Sequence, residues 1–211
     1  MKGTVLRKLT LLAHVFAFLF FAHFAVAQQV DLMGSGGTLM QPYTANSSQS
    51  FTQLAETGGV YLGVGADYVD NDRRFGLNLE SSWRYHRASY YGYESYRPIL
   101  TDINVLFQPK LNKKFGLDFM AGVGADSTRF YLPDTVTCGH FSGCVLFTST
   151  DHFMEHGAAG LRYYFWHDFF IRPEANVYHI HGNTNTMTGG FNSNFVTRVG
   201  ATIGYTFGRS K

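Results

Sequence analysis

The sequence predicts an all-β protein, an eight-stranded antiparallel up-and-down transmembrane β-barrel. Three observations predict it: a carboxy-terminal segment of nearly strict two-residue alternation, seven further stretches that alternate in the same way, and connections that are short and long by turns. In Thr197 to Phe207, residues Thr197, Val199, Ala201, Ile203, Tyr205 and Phe207 fall on one face. Arg198, Gly200, Thr202, Gly204 and Thr206 fall on the other. A strand sends successive side chains to opposite sides, so one face here suits lipid and the other a polar interior.

The amino terminus has the pattern of an export signal. Lys2, Arg7 and Lys8 precede an apolar run from Leu9 to Phe24, and Ala25-Val26-Ala27 supplies the small residues read at a cleavage site. Residues 1–27 are therefore expected to be a cleaved signal peptide and residues 28–211 the barrel domain, with Gln28 first in the mature chain. The signal holds three of the 17 basic residues and no acidic ones, leaving 14 basic against 15 acidic. Nothing in that balance favours nucleic acid. After the signal no run approaches the roughly 20 apolar residues that a membrane helix needs. Cys138 and Cys144 are the only cysteines, and in an exported chain the pair is expected to form a disulfide within one loop.

The strands follow in order. Val30 to Leu39, broken by glycines 34, 36 and 37, has the least regular alternation, and a polar segment, Gln41 to Thr57, comes next. Val60, Leu62, Val64, Ala66 and Tyr68 then oppose Tyr61, Gly63, Gly65 and Asp67. After a turn at Asp70-Asn71-Asp72, residues Phe75 to Tyr85 carry Gly76, Asn78, Glu80, Ser82 and Arg84 on the polar face. A loop over Arg87 to Tyr96 leads to Ile99, Thr101, Ile103, Val105 and Phe107, backed by Asp102, Asn104 and Gln108. Phe115 to Ala125 carries Asp118 and several glycines on its polar side, and a loop over roughly Tyr131 to Thr150 is expected to hold both cysteines. Gly157 to Phe165 has Arg162 on its polar face, and Trp166-His167-Asp168 turns it. Phe169 to Val177 carries Arg172 and Glu174, with Pro173 predicting a bulge. The polar loop His181 to Asn194 enters the final strand.

Every second connection is thus short (70–73, 109–114, 166–168), and those between are long and polar, as in outer-membrane barrels. Aromatic residues gather toward both ends of the apolar face, among them Phe75, Phe107, Trp166 and Phe207 at one and Trp83, Tyr85, Phe130, Tyr131 and Phe195 at the other. A soluble eight-stranded barrel would turn the apolar face inward and has no use for two aromatic girdles.

On this strand pattern, loop asymmetry and last strand, the whole mature chain resembles the small eight-stranded outer-membrane barrels of the OmpA, OmpX and Ail type. The resemblance implies the cell outer membrane as location. It also implies that Gly200, Ile203, Tyr205 and Phe207 belong to the signal read by the barrel assembly machinery, although Gly208 to Lys211 follow where such chains commonly stop at an aromatic.

An eight-stranded barrel is just wide enough for side chains to fill it, and charges inside must pair. Glu80, Asp102, Asp118 and Glu174 against Arg84, Arg162, Arg172 and Arg198 predict a balanced lumenal network, either a structural plug or a charged constriction. His152 and His156 share strand parity, as do His179 and His181, with Asp151 and Glu155 nearby, but the spacing is no metal signature and no metal or cofactor is expected. Barrels that deacylate lipid A use His-x-Ser, and His152-Phe153-Met154 and His156-Gly157-Ala158 lack the serine, so no catalytic residue is expected. The tyrosines of the Arg87–Tyr96 loop (Tyr90, Tyr91, Tyr93, Tyr96) suit contact with an extracellular protein or glycan. The expected role is non-enzymatic, in envelope integrity or surface interaction, within outer-membrane lipid. A narrow porin-like channel is the alternative and a lipid-modifying enzyme the third.

Overall fold

Alternation over eight stretches, joined at one end by turns of a few residues, leaves the chain one economical arrangement: neighbours in sequence pair as neighbours in space. The computed structural model has that arrangement. It describes residues 28–40, 58–70, 74–90, 94–131, 147–182 and 194–208. Nine strands follow one another: β1 (Gln28–Met40), β2 (Tyr61–Asp70), β3 (Phe75–Arg84), β4 (Ala88–Tyr90), β5 (Glu94–Phe107), β6 (Phe115–Tyr131), β7 (Phe147–Trp166), β8 (Phe169–Ile180) and β9 (Phe195–Phe207). β3 and the short β4 both pair with β5, so β4 continues β3 past a break and the two form one wall. Eight walls result, each antiparallel to the next, and β1 pairs with β9 from Val30↔Phe207 to Met40↔Thr197 to close the barrel. Among the described residues no helix is long and apolar enough to cross a membrane.

The apolar face of every wall points outward. Leu79 and Ile103 are register partners that are 57% and 51% exposed, while their neighbours Asn78, Glu80, Asp102 and Asn104 are buried. That orientation excludes the soluble barrel, whose apolar side chains would fill the interior. The turn end carries the aromatic band: Phe75 stacks on Phe107 at 4.8 Å, Phe115 on Tyr163 at 4.9 Å and Trp166 on Phe169 at 5.4 Å. The opposite end carries exposed Tyr85, Phe153 and Phe195 and the longer connections, and is the external end by the usual loop asymmetry.

Several details depart from the sequence reading. The first strand runs over Gln28–Met40 and pairs on both edges, from Gln28 to Gly37 with β2 and from Val30 to Met40 with β9, because backbone ladders do not need the side chains that its glycines lack. β6 and β7 extend to Tyr131 and from Phe147, pairing Tyr131↔Phe147, so residue 131 and residues 147–150 at the two ends of the expected 131–150 loop are strand. Cys138 and Cys144, like the segment 41–57 and the first 27 residues, lie outside the described residues. Pro173 causes no bulge: it keeps register with Ala201, and the irregularity lies between Tyr164 and Trp166, beside the hairpin turn where His167 takes a positive φ of 47°. Tyr96 and Phe130 turn inward and stack at 6.3 Å, so neither is a loop or girdle residue.

Candidate functional site in the barrel lumen

Inward-facing positions of the strands bring acidic and basic groups from all eight walls into one enclosed volume. β7 and β8 supply Arg162 and Arg172, both fully buried, and β9 supplies Arg198. Against these three arginines stand seven buried carboxyl groups among the described residues: Asp31, Asp67, Glu80, Asp102, Asp118, Asp126 and Glu174. Burying so many ionisable groups is tolerable only where each finds partners.

Arg162 is the lower hub, on the side of the short turns. Its guanidinium meets Asp31, reaches Asp67 at 2.9 Å and holds Asp118 from Nη2 at 2.8 Å. The ring of Phe170 lies beneath it, 4.0 Å from Cζ. Arg172 shares two of those carboxylates, Asp118 at 2.9 Å and Asp67 at 3.2 Å, and donates from Nε to Glu174 at 2.8 Å. Arg198 then bridges Glu174 at 3.1 Å and Glu80 at 2.6 Å, and Ser35 donates to Glu80 at 3.1 Å. The planar fork of arginine serves several carboxylates at once, which a lysine ammonium would do less well.

Amides close the chain of contacts into a ring. Asn78 donates to Asp67 at 2.7 Å and accepts from Asn104 at 2.7 Å. His156 stands between Asn104 Oδ1, 2.8 Å from Nδ1, and Asn176 Oδ1, 3.0 Å from Nε2, with Asp102 3.4 Å away. The amide nitrogens of Asn104 and Asn176 are committed to Asp102 and Glu174. Both ring nitrogens therefore face amide oxygens.

Apolar clusters lie on either side of this network. Leu39, Tyr61, Leu100, Met154, Tyr178, Ile180 and Val196 pack together inside the external end, and Val69, Leu106 and Met120 inside the other. Small residues make room for the long ones. A methyl group added at Gly204 would lie 2.5 Å from the ring of buried Phe170. One added at Gly160 would lie 2.9 Å from Arg172 Cγ.

The sequence-predicted charges Glu80, Asp102, Asp118, Arg162, Arg172, Glu174 and Arg198 all enter this network. Arg84 does not: it is half-buried near the external rim, its guanidinium 6.0 Å from the ring centre of Tyr96. The expected balance of four against four is thus replaced by an acidic excess. Asp31 was missed because glycines blur the alternation of β1. Asp67 and Asp126 had the right parity but were left out of the network, and His156 shares its parity with Arg162 once β7 is extended toward its start. Of the proposed assembly residues, Ile203 and Phe207 face outward, and Gly200 faces inward opposite Gly37. The four histidines separate: His156 enters the lumen and His152 faces the backbone oxygen of His181 at 3.1 Å, while His179 and His181 stand on the outer surface.

No protein-family model and no curated protein matches the chain. Among solved structures it is similar to a major outer membrane protein from Thermus thermophilus, with a TM-score of 0.59 and 10% identity over 86% of this chain and all of that one. It is similar to Neisserial surface protein A, with a TM-score of 0.55 and 10% identity over 86% of this chain and 97% of that one. The third is Ail of Yersinia pestis in complex with the heparin analogue sucrose octasulfate, with a TM-score of 0.51 and 11% identity over 85% and 97% of the two chains. Taken with the outward apolar face and the loop asymmetry, these likenesses give the chain the fold of the small eight-stranded outer-membrane β-barrels.

Proposed function

We propose that this chain is a closed, non-enzymatic barrel of the outer membrane that serves envelope integrity or surface interaction through its external connections. The observation that carries the reading is the occupied lumen. Each of the eight walls contributes at least one side chain to a single ring of ion pairs and amide bonds, and apolar clusters lie on both sides of it. A water-filled conducting path needs unfilled cross-section, and eight strands leave none to spare once arginines cross the interior. The histidines also support a non-catalytic role. His156 is engaged by amides and His152 by a backbone oxygen, leaving neither paired with a serine nucleophile among the described residues.

The long external connections, at 41–60, 132–146 and 181–194, are the natural place for contact with an extracellular protein or glycan. Ail, one of the similar structures, is in complex with a heparin analogue. The reading includes insertion by the barrel assembly machinery through the β9 segment containing Gly200, Ile203, Tyr205 and Phe207. It also includes removal of residues 1–27 and a Cys138–Cys144 disulfide. Planar-bilayer recording from refolded protein, with folding checked by heat-dependent gel mobility, tests the closed lumen. Silence is the expected result. Steady, salt-dependent single-channel current from a folded barrel would replace this reading with the porin-like one.

A further inference from the structure

The outer surface carries a cluster that the lumen does not use. Glu155 on β7 and His179 on β8 are direct register partners, and His181 follows His179 by two residues. Strand geometry therefore puts all three side chains on the same outer face. Glu155 Oε2 lies 3.2 Å from His179 Nδ1, and Oε1 lies 3.4 Å from His181 Nε2. One ligand atom from each of the three residues lies within 4.8 Å of the other two.

The surroundings hold these rings in place. Phe195 stacks on His179 with centroids 4.6 Å apart, and Phe153 stands 5.4 Å from His181. Beneath them the ladder continues past the end of β8, where the His181 amide donates to the Phe153 carbonyl at 2.9 Å. His152 anchors the same residue from inside, through its Nδ1 and the His181 carbonyl.

We propose that Glu155, His179 and His181 form a surface site for a divalent transition-metal ion of the zinc class, near the external rim of the barrel. Two imidazole nitrogens and one carboxylate oxygen are donors that zinc favours. Tetrahedral zinc with bonds of about 2.0–2.1 Å spaces its ligand atoms roughly 3.3–3.4 Å apart. The separations of 3.2 Å from Oε2 to His179 Nδ1 and 3.4 Å from Oε1 to His181 Nε2 run to different carboxylate oxygens, so one of them matches an edge of that tetrahedron, and closing on a single oxygen draws in ligand atoms that already lie within 4.8 Å of one another. Magnesium and calcium prefer oxygen shells, so the imidazoles select against them. Three protein ligands leave a fourth position open to water or to an oxygen of a neighbouring headgroup. A bound ion would tie β7 to β8 where the connections leave the sheet.

The experiment is zinc titration of the refolded, tag-free full barrel in detergent micelles, by calorimetry and by competition with a chromophoric chelator. One zinc per barrel is expected, weakened more than about tenfold in the His179→Ala/His181→Ala variant and in Glu155→Gln, and unchanged in Asp151→Asn. Acidification should release the ion, because protonated imidazole does not coordinate. Cobalt substitution gives a second readout that needs no variant: visible d–d bands of a four-coordinate nitrogen–oxygen site. Failure of the folded wild type to bind one ion, unchanged affinity in the folded double variant, or an octahedral cobalt spectrum would each overturn the site. Conductance is unaffected by any of these outcomes, so the closed-lumen reading stands or falls separately.

Discussion

Arg162 holds Asp118 by two hydrogen bonds to the same oxygen, from Nε at 3.1 Å and from Nη2 at 2.8 Å, with both side chains wholly removed from solvent. The same guanidinium also meets Asp31 and Asp67, so one cation on β7 gathers carboxylates from β1, β2 and β6. Arg162→Ala would take the guanidinium from all three, leaving Asp67 and Asp118 to Arg172 and Asp31 with only the Gln29 amide. Removing one partner of a buried pair costs about 3–5 kcal/mol, and a fall of that size in unfolding free energy is expected. Urea titration of the refolded barrel, followed by heat-dependent gel mobility, measures it. Arg162→Lys should recover only part of the loss, since an ammonium lacks the planar fork. A wild-type midpoint in Arg162→Ala would show that the network does not hold the barrel together.

The outward face can be tested at its middle. Ile103 is half exposed and pairs with Leu79 on one side and Val123 on the other, all three apolar and outward. Ile103→Arg should cost about 2–4 kcal/mol in a lipid bilayer, the range for a cation at the midplane of a barrel's lipid face. If the substitution were neutral in vesicles, this surface would not be the one that meets lipid.

Close packing inside the barrel makes a different demand at Gly204. A methyl group there would press on the Phe170 ring and come within 2.8 Å of the Leu32 carbonyl oxygen. Phe170 is fully buried and supports Arg162 from below, so it has little room to retreat. Gly204→Ala is expected to destabilise the barrel by about 1–3 kcal/mol, as overpacking does. Thr202→Ala on the same face serves as the control, and equal midpoints for the two would refute the packing argument.

Processing can be read from one intact mass. β1 begins at Gln28, the residue after the expected cleavage point. Protein purified from outer membranes without reductant should begin at Gln28 and be lighter by two hydrogens than its reduced form, reflecting the Cys138–Cys144 bridge. A mass that retains residues 1–27 would reject the signal, and one equal to the reduced chain would reject the disulfide.

The sequence by itself determined the walls and which residues share a face of each. Period-2 alternation is a local property of the backbone, so the inward set on β9 (Arg198, Gly200, Thr202, Gly204 and Thr206) could be read without knowing any partner. For the same reason Arg162, Arg172, Glu174 and Asp118 could be assigned to the lumen. Glycines obscured the alternation of β1 and with it Asp31. Only the tertiary structure decided who pairs with whom, because that depends on how strands far apart in the chain sit across the barrel interior. Arg162 and Asp31 are separated by 131 positions, and Arg198 and Glu80 by 118. The same holds at the outer surface: Glu155 meets His179 and His181 through the register of β7 on β8, which no spacing along the chain specifies. Parity tells a side chain which face it occupies, and register across a closed sheet tells it which neighbours it finds there.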